Sequence, residues 1–144
     1  MIYETTTKTI NVVPPGAIVD ATGVSVNTVD RKGFDYAVFK VILGSTDSGL
    51  SELKIQESDD NSTWTDVPGL DFSVSPAVLP SASDSNDIFA FDIDLRGRKR
   101  YLRPAIIVGS GTNGTYLTVI ADLGRADQTP HDAPSRGLAG LLEA

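Results

Sequence analysis

Residues 88–95 alternate side chains with the period of a β-strand. The odd positions are Phe, Phe, Ile and Leu, and both aspartates of the segment fall on even positions. Successive side chains of a strand point to opposite faces of a sheet, so this pattern predicts a strand with one face on a core and the other in water. Residues 101–108 form a second apolar run, and residues 116–123 alternate again. The second half of the chain is therefore constrained to β-structure.

The first half repeats this pattern in shorter pieces separated by Gly, Pro, Asn and Asp. Residues 34–43 form the strongest run, in which only Lys40 interrupts the apolar faces, so we predict a central strand with both faces largely covered. Residues 52–67 predict a hairpin whose turn is Asp-Asp-Asn-Ser. Pro104 has no N–H to donate, so we predict that this part of the strand at 101–108 lies at a sheet edge or in a bulge. Further short strands are predicted at 9–13, 17–21 and 24–29, with an extended piece at 70–74.

Eight or nine short strands and no amphipathic helix before residue 125 predict an all-β fold, a single antiparallel β-sandwich or jelly roll with extended N- and C-terminal arms. We assign residues 1–13 to an N-terminal arm and first strand, 14–124 to the sandwich and 125–144 to an extended C-terminal tail. The predicted core consists of Phe39, Val41, Leu53, Ile55, Trp64, Phe89, Phe91, Ile93, Ile106, Val108, Leu117 and Val119.

Composition limits the environment and the partners. The 144-residue chain has no cysteine, so disulfides, thiolate metal sites and cysteine nucleophiles are excluded. Its formal net charge of −7 argues against general nucleic-acid binding, which needs a concentrated basic surface. No run approaches the length of a membrane span, and the first residues lack a basic start and apolar core, so we expect synthesis in a cytoplasm, no signal peptide and no membrane partner.

The residues predict no catalytic, metal or cofactor site. The single histidine, His131, lies between two prolines in the tail, where nothing would hold it against a nucleophile. The acidic segments 59–61 and 84–87 contain ligands suited to Ca²⁺ but lack the spacing of a calcium loop, so we interpret them as ordinary turns. We therefore expect no enzyme activity, no cofactor and no small-molecule substrate.

A basic corner reverses the sign of the charge locally. Five of the 12 basic residues lie within eight positions. One interpretation is a solvated hairpin whose charges protect an edge from aggregation. The other is a docking patch in which arginines make bidentate contacts with carboxylates of a partner. The candidate partner-binding residues are Arg96, Arg98, Lys99, Arg100 and Arg103.

The C-terminal tail also has two interpretations. It lacks the composition to fold by itself, so it either frays or docks on another subunit. In the second case Leu138, Leu141 and Leu142 would anchor it in a groove of the neighbour.

Several motifs resemble small proteins encoded among the head genes of tailed phages and prophages. Residues 56–64 read Gln-Glu-Ser-Asp-Asp-Asn-Ser-Thr-Trp, residues 97–103 read Gly-Arg-Lys-Arg-Tyr-Leu-Arg, and residues 121–124 close with Ala-Asp-Leu-Gly. Those proteins have a polar turn before an aromatic residue, a basic strand after a glycine, and a closing strand that ends in glycine. Asn61 stands where glycine is commoner, and the resemblance covers residues 34–130.

The resemblance implies a capsid cement, or decoration, protein. Such a β-sandwich sits on the outside of the icosahedral shell and braces neighbouring capsomers. The expected partners are the major capsid protein and further copies of the chain in a dimer or trimer, and the expected location is the virion surface. Two alternatives remain: a head-completion or tail structural protein, and a carbohydrate- or receptor-binding sandwich with a flat patch of exposed aromatic residues.

Overall fold

Eight strands make up the regular structure of the computed structural model, which describes residues 7–127 and 134–142. Residues 1–6 of the predicted N-terminal arm, and His131, lie outside the described residues. The strands are β1 (Lys8–Val13), β2 (Val29–Asp30), β3 (Phe34–Thr46), β4 (Leu50–Ser58), β5 (Thr65–Asp71), β6 (Ile88–Asp94), β7 (Tyr101–Val108) and β8 (Thr115–Ala126). Two short 3-10 helices span Ala82–Asp84 and Pro134–Arg136.

The strands form two antiparallel four-stranded sheets that pack together, so the predicted all-β sandwich is confirmed. Sheet I has the order β1-β8-β3-β6, and sheet II has the order β2-β7-β4-β5. Strands β4 and β5 pair with each other and form the predicted hairpin. All the remaining connections between consecutive strands cross from one sheet to the other.

Apolar side chains from the facing sides of both sheets fill the space between them. All the predicted core residues except Trp64 and Phe89 are buried. Phe89 is partly buried against this core, whereas Trp64 is half-buried outside it. Leu53 and Ile55 of β4, both predicted for the core, are fully buried.

Strand β3 is central in sheet I, as predicted, because β8 and β6 flank it. Its second face is less covered than the sequence suggested. Tyr36, Val38 and Ile42 are half-buried on that side, and Lys40 is exposed. The reason is that sheet II packs against only the face that carries Phe39.

The segment before β2 forms less strand than predicted. Val19 and Gly23 form isolated bridges to Thr115 and Ile107, and within residues 17–30 only Val29–Asp30 forms a short strand. The segment follows β7 loosely, donating from Val24 N to the carbonyl of Ile106 and accepting at the carbonyl of Thr22 from Val108 N.

Pro104 lies in β7, and its backbone nitrogen points toward this loosely paired segment. Ile106 and Val108 hydrogen-bond to the segment, and alternate residues of a strand direct their backbone groups to the same side. The missing N–H of Pro104 therefore falls at the weakly paired edge, as predicted, while its other side stays in register with Ile55 of β4.

Residues 134–137 lie against β1, one of the two outer strands of sheet I. Strand β8 continues to Ala126, two residues beyond the predicted end of the sandwich. The helix Pro134–Arg136 contacts β1, and Gly137, with φ of 75°, leaves no room for a Cβ beside the carbonyl of Thr9. Of the predicted tail anchors, Leu138 and Leu141 are half-buried and Leu142 is 99% exposed.

Candidate interaction surfaces

The basic corner is the loop that carries the chain from β6 in sheet I to β7 in sheet II. Arg96 lies at its start and turns back on Asp94, to which its Nε and Nη2 donate at 3.0 and 2.7 Å. These bonds lower the pKa of Asp94 to about 2 and raise the pKa of Arg96. The Arg96 side chain is nevertheless 66% exposed. It is thus the part of the corner that a partner can reach most easily.

Arg100, at the other end of the loop, forms a bidentate ion pair with Asp30 of β2. Its Nε and Nη2 donate to the two carboxylate oxygens at 3.0 and 2.8 Å. The pair lowers the pKa of Asp30 and raises that of Arg100. The guanidinium also lies 5.0 Å from the ring centroid of Tyr101, within the range of a cation–π contact.

Glu57, a buried carboxylate of β4, holds the middle of the corner. Its Oε2 accepts from the backbone N–H of Lys99 at 3.1 Å, and its Oε1 lies 3.6 Å from Nη1 of Arg98. Arg31 closes the other side of the loop by donating to the carbonyls of Arg98 and Lys99. A buried charge is tolerated when it is paired and hydrogen-bonded, so Glu57 and Arg98 belong to the framework of the loop.

The structure therefore brings four of the five predicted basic residues together, but with carboxylates of the same chain beside them. Arg96, Arg98 and Arg100 each have such a partner, and Lys99 lies 3.9 Å from Asp59. The corner presents both signs of charge rather than a purely cationic patch. Its role in binding a partner stays a prediction.

Arg103, the fifth residue, lies apart from the corner on the outer face of sheet II. Its Nε and Nη2 donate to Oε1 of Gln56, and its guanidinium stacks 4.3 Å from the ring centroid of Trp64. Gln56 in turn donates to Asp66, which also accepts from Lys54 at 2.9 Å. This connected network gives the outer face of sheet II a polar surface whose groups already bind one another.

Sequence reasoning placed Trp64 in the core. That inference misses the register that sets Gln56 directly opposite Arg103 and so brings the guanidinium over the indole. The available signal was the spacing within the returning segment, since Trp64 and the buried Val67 lie three positions apart and so fall on opposite faces of an extended chain.

The outer face of sheet I carries two large exposed apolar side chains, whereas that of sheet II carries one among the described residues, Ile107. Ile88 of β6 is 61% exposed and Tyr116 of β8 is 46% exposed. The register of β3 with β6 and β8 places three half-buried apolar residues on the same face, Val38, Ile42 and Ile120. Its central ion pair joins Lys40 to Asp122 at 3.8 Å.

In the acidic segments considered for Ca²⁺, Asp60 and Asp84 accept hydrogen bonds from groups of the turns in which they lie. Asp60 accepts from the N–H groups of Ser62 and Thr63 and from the hydroxyl of Ser58, and these bonds lower its pKa. Asp84 accepts from the N–H of Ser81 at the start of its 3-10 helix. Within residues 7–127 and 134–142, no group of three His, Asp or Glu side chains is placed to hold a metal ion.

Asp47, which directly follows β3, likewise accepts hydrogen bonds from backbone N–H groups, here those of the loop between β7 and β8. Its carboxylate accepts from the N–H groups of Gly114, Asn113 and Thr112 at 2.9, 2.7 and 3.1 Å, which lowers its pKa from 3.8. Gly114 has φ of 101° and lies too close to the carbonyl of Val19 to carry a side chain. Asp47 thus holds three N–H groups of the loop, and the carboxylate of Asp20 accepts from a fourth, that of Gly111, at 2.8 Å.

We expect Asp47→Asn to lower the melting temperature at pH 7 and to reduce its dependence on acid. A carboxylate with a lowered folded-state pKa stabilises the protein above its unfolded-state pKa, and this contribution is lost as the pH falls below about 4. Melting curves from pH 7 to pH 2 should show the difference between the two proteins shrinking below pH 4. A difference that stays constant over this range would contradict the role of the charge.

Comparisons of the chain with protein-family models, with curated proteins and with solved structures found no match. Across the described residues, no helix has the length and apolar character needed to cross a bilayer.

Proposed function

We propose that the chain is a structural protein of a tailed-phage virion, a decoration protein that binds the outside of the capsid and braces neighbouring capsomers. The major capsid protein is its partner, and the chain acts in many copies. Each added contact across a capsomer junction opposes the pressure of the packaged DNA, and repeated weak contacts add up to stable binding.

The observation that carries this proposal is the difference between the two outer faces of the sandwich. The polar groups of sheet II, from Lys54 to Arg103, are engaged with one another. Sheet I leaves Ile88 and Tyr116 exposed on its outer face. Exposed apolar patches of this kind mark protein contacts, so the proposed capsid-binding surface is the outer face of sheet I.

The strand order supports the finer description of the fold as a jelly roll. Orders β1-β8-β3-β6 and β2-β7-β4-β5, with the chain crossing between sheets at every step except β4 to β5, are those of two interlocked Greek keys. Jelly rolls are common in viral capsid proteins, which agrees with the motif resemblance at residues 56–64 and 97–103.

The basic corner contributes polar contacts at the rim of this surface in the proposed complex. Arg96 lies two residues after β6, the other outer strand of sheet I, and its exposed guanidinium can exchange Asp94 for a carboxylate of the shell. Arg98 and Arg100 keep their partners Glu57 and Asp30 and hold the loop in shape.

Density-gradient fractionation of particles from a producing lysate, with quantitative mass spectrometry, tests the function directly. We expect hundreds of copies per particle that track the major shell protein. Six to twelve copies would instead indicate a head-completion or tail component, and the absence of the chain from particles would contradict a virion role.

The surface is tested by adding purified protein to particles that lack it. Tyr116→Glu places a charge on the outer face of sheet I and should weaken binding by about tenfold or more, because a buried charge without a partner is costly. Ile107→Glu is the matched control, since Ile107 is exposed on the outer face of sheet II. Equal losses in both variants would contradict the assignment to sheet I.

A further inference from the structure

The sandwich is open along the side where β5 and β6, the last strands of the two sheets, run beside each other. No β5–β6 pairing exists among the described strands. A groove lies between them with an apolar floor, formed by Leu70, Phe72, Ala77 and Phe91. The rings of Phe72 and Phe91 meet edge to face with centroids 5.1 Å apart, which fixes the shape of this floor.

Strand β6 directs backbone hydrogen-bonding groups into this opening. Just beyond its two ends, the carbonyl of Asp87 and the N–H of Leu95 bond to β3 at 3.0 and 2.9 Å. Alternate residues of an antiparallel strand bond to the same side, so Ala90 and Asp92 direct their N–H and carbonyl groups away from β3. In the described part of the chain, no hydrogen bond to these four groups is formed.

The other strand edges are less available. Strand β1 is covered by the segment around Gly137, and β2 is two residues long. Strand β5 contains Pro68, which has no N–H to offer, followed by Gly69 with φ of 81°. Strand β6 has seven residues and no proline, so it is the edge best suited to accept another strand.

Two carboxylates, Asp71 of β5 and Asp92 of β6, lie among the residues that line the groove. Asp71 accepts from the N–H and the hydroxyl of Ser73. Neither lies within ion-pair distance of a basic group among residues 7–127 and 134–142. The groove therefore favours an occupant that carries positive charge.

We propose that β6 is a docking edge for an extended peptide segment of a partner protein in which apolar and basic side chains alternate. The segment adds as a fifth strand to sheet I, pairing its backbone with Ala90 and Asp92. Its apolar side chains enter the groove against Phe72 and Phe91, and its basic side chains lie on the outer face opposite Asp92. The docking edge is separate from the apolar surface around Tyr116, and it does not require that the partner be a capsid protein.

The test is a titration of the full chain, uniformly labelled with ¹⁵N, with three capped nine-residue synthetic peptides. The first alternates lysine and valine, the second alternates glutamate and valine, and the third is the first with N-methylated backbone at alternate residues. We expect saturable binding of the first peptide, with the amide shifts of Ala90 and Asp92 moving most. The second and third peptides should bind about tenfold more weakly, because they lose the charge match and the strand pairing respectively.

Variants on the protein side separate this edge from general charge attraction. Asp92→Lys should weaken binding of the lysine peptide about tenfold and strengthen that of the glutamate peptide. Asp59→Lys makes the same charge change on the exposed turn between β4 and β5, so it should leave both affinities unchanged. Equal binding of the methylated and unmodified peptides, shifts centred on Tyr116, or no saturation at millimolar peptide would each overturn the proposal.

Discussion

Replacing Phe39 with alanine is expected to lower the free energy of unfolding by about 3–5 kcal/mol, one of the largest effects of any single truncation in this chain. Phe39 is 0% exposed and lies at the middle of β3. It is paired with Phe91 on one side and Ala121 on the other, so the cavity left by its ring would open between three strands of sheet I. Urea denaturation of both proteins, followed by intrinsic fluorescence, measures the difference.

Val38→Ala is the matched control for this prediction. Val38 is adjacent in sequence and belongs to the same strand, but its side chain lies half-buried on the outer face. We expect a loss of about 1 kcal/mol or less. Comparable losses at both positions would contradict the assignment of the core to the Phe39 face.

The strands of this fold could be predicted from sequence wherever one face is buried and the other is wet. Strands β4, β6 and β8 have this arrangement, and their alternation identified them. Residues 17–29 have apolar side chains too, but they follow an edge, so local composition overstated their pairing. The prediction that Trp64 lies in the core was also wrong, because an indole can be stabilised by a stacked guanidinium as well as by burial.

The basic corner could be located from sequence, but the state of its charges could not. Local spacing reveals only the pairing of Arg96 with Asp94, two positions away. Arg100 meets Asp30 across 70 positions, and Glu57 meets Lys99 across 42. Such pairs depend on how β2, β4 and β7 lie side by side, which the motif alone does not specify. A cluster of cations in sequence therefore became a mixed-charge surface in the fold.

Reversing the charge of Arg98 is accordingly expected to destabilise the fold itself. In Arg98→Glu a second carboxylate would face the buried Glu57 at the position of the guanidinium, now 3.6 Å away. We expect the free energy of unfolding to fall by about 2–3 kcal/mol, since Glu57 loses its counter-ion without gaining water. Urea denaturation at pH 7 measures this loss.

Two comparisons identify the cause of that loss. Introducing Arg98→Glu into Glu57→Gln should cost less than introducing it into the natural chain, because the repulsion is gone, and a double-mutant cycle gives the difference. Arg96→Glu, at the exposed start of the same loop, should cost under about 1 kcal/mol. If Arg98→Glu were equally mild, Glu57 would not depend on Arg98. If Arg98→Glu destabilises the fold and Arg96→Glu does not, weaker capsid binding by Arg98→Glu would indicate a loss of folding. Weaker binding by Arg96→Glu would instead indicate the loss of a contact with the capsid.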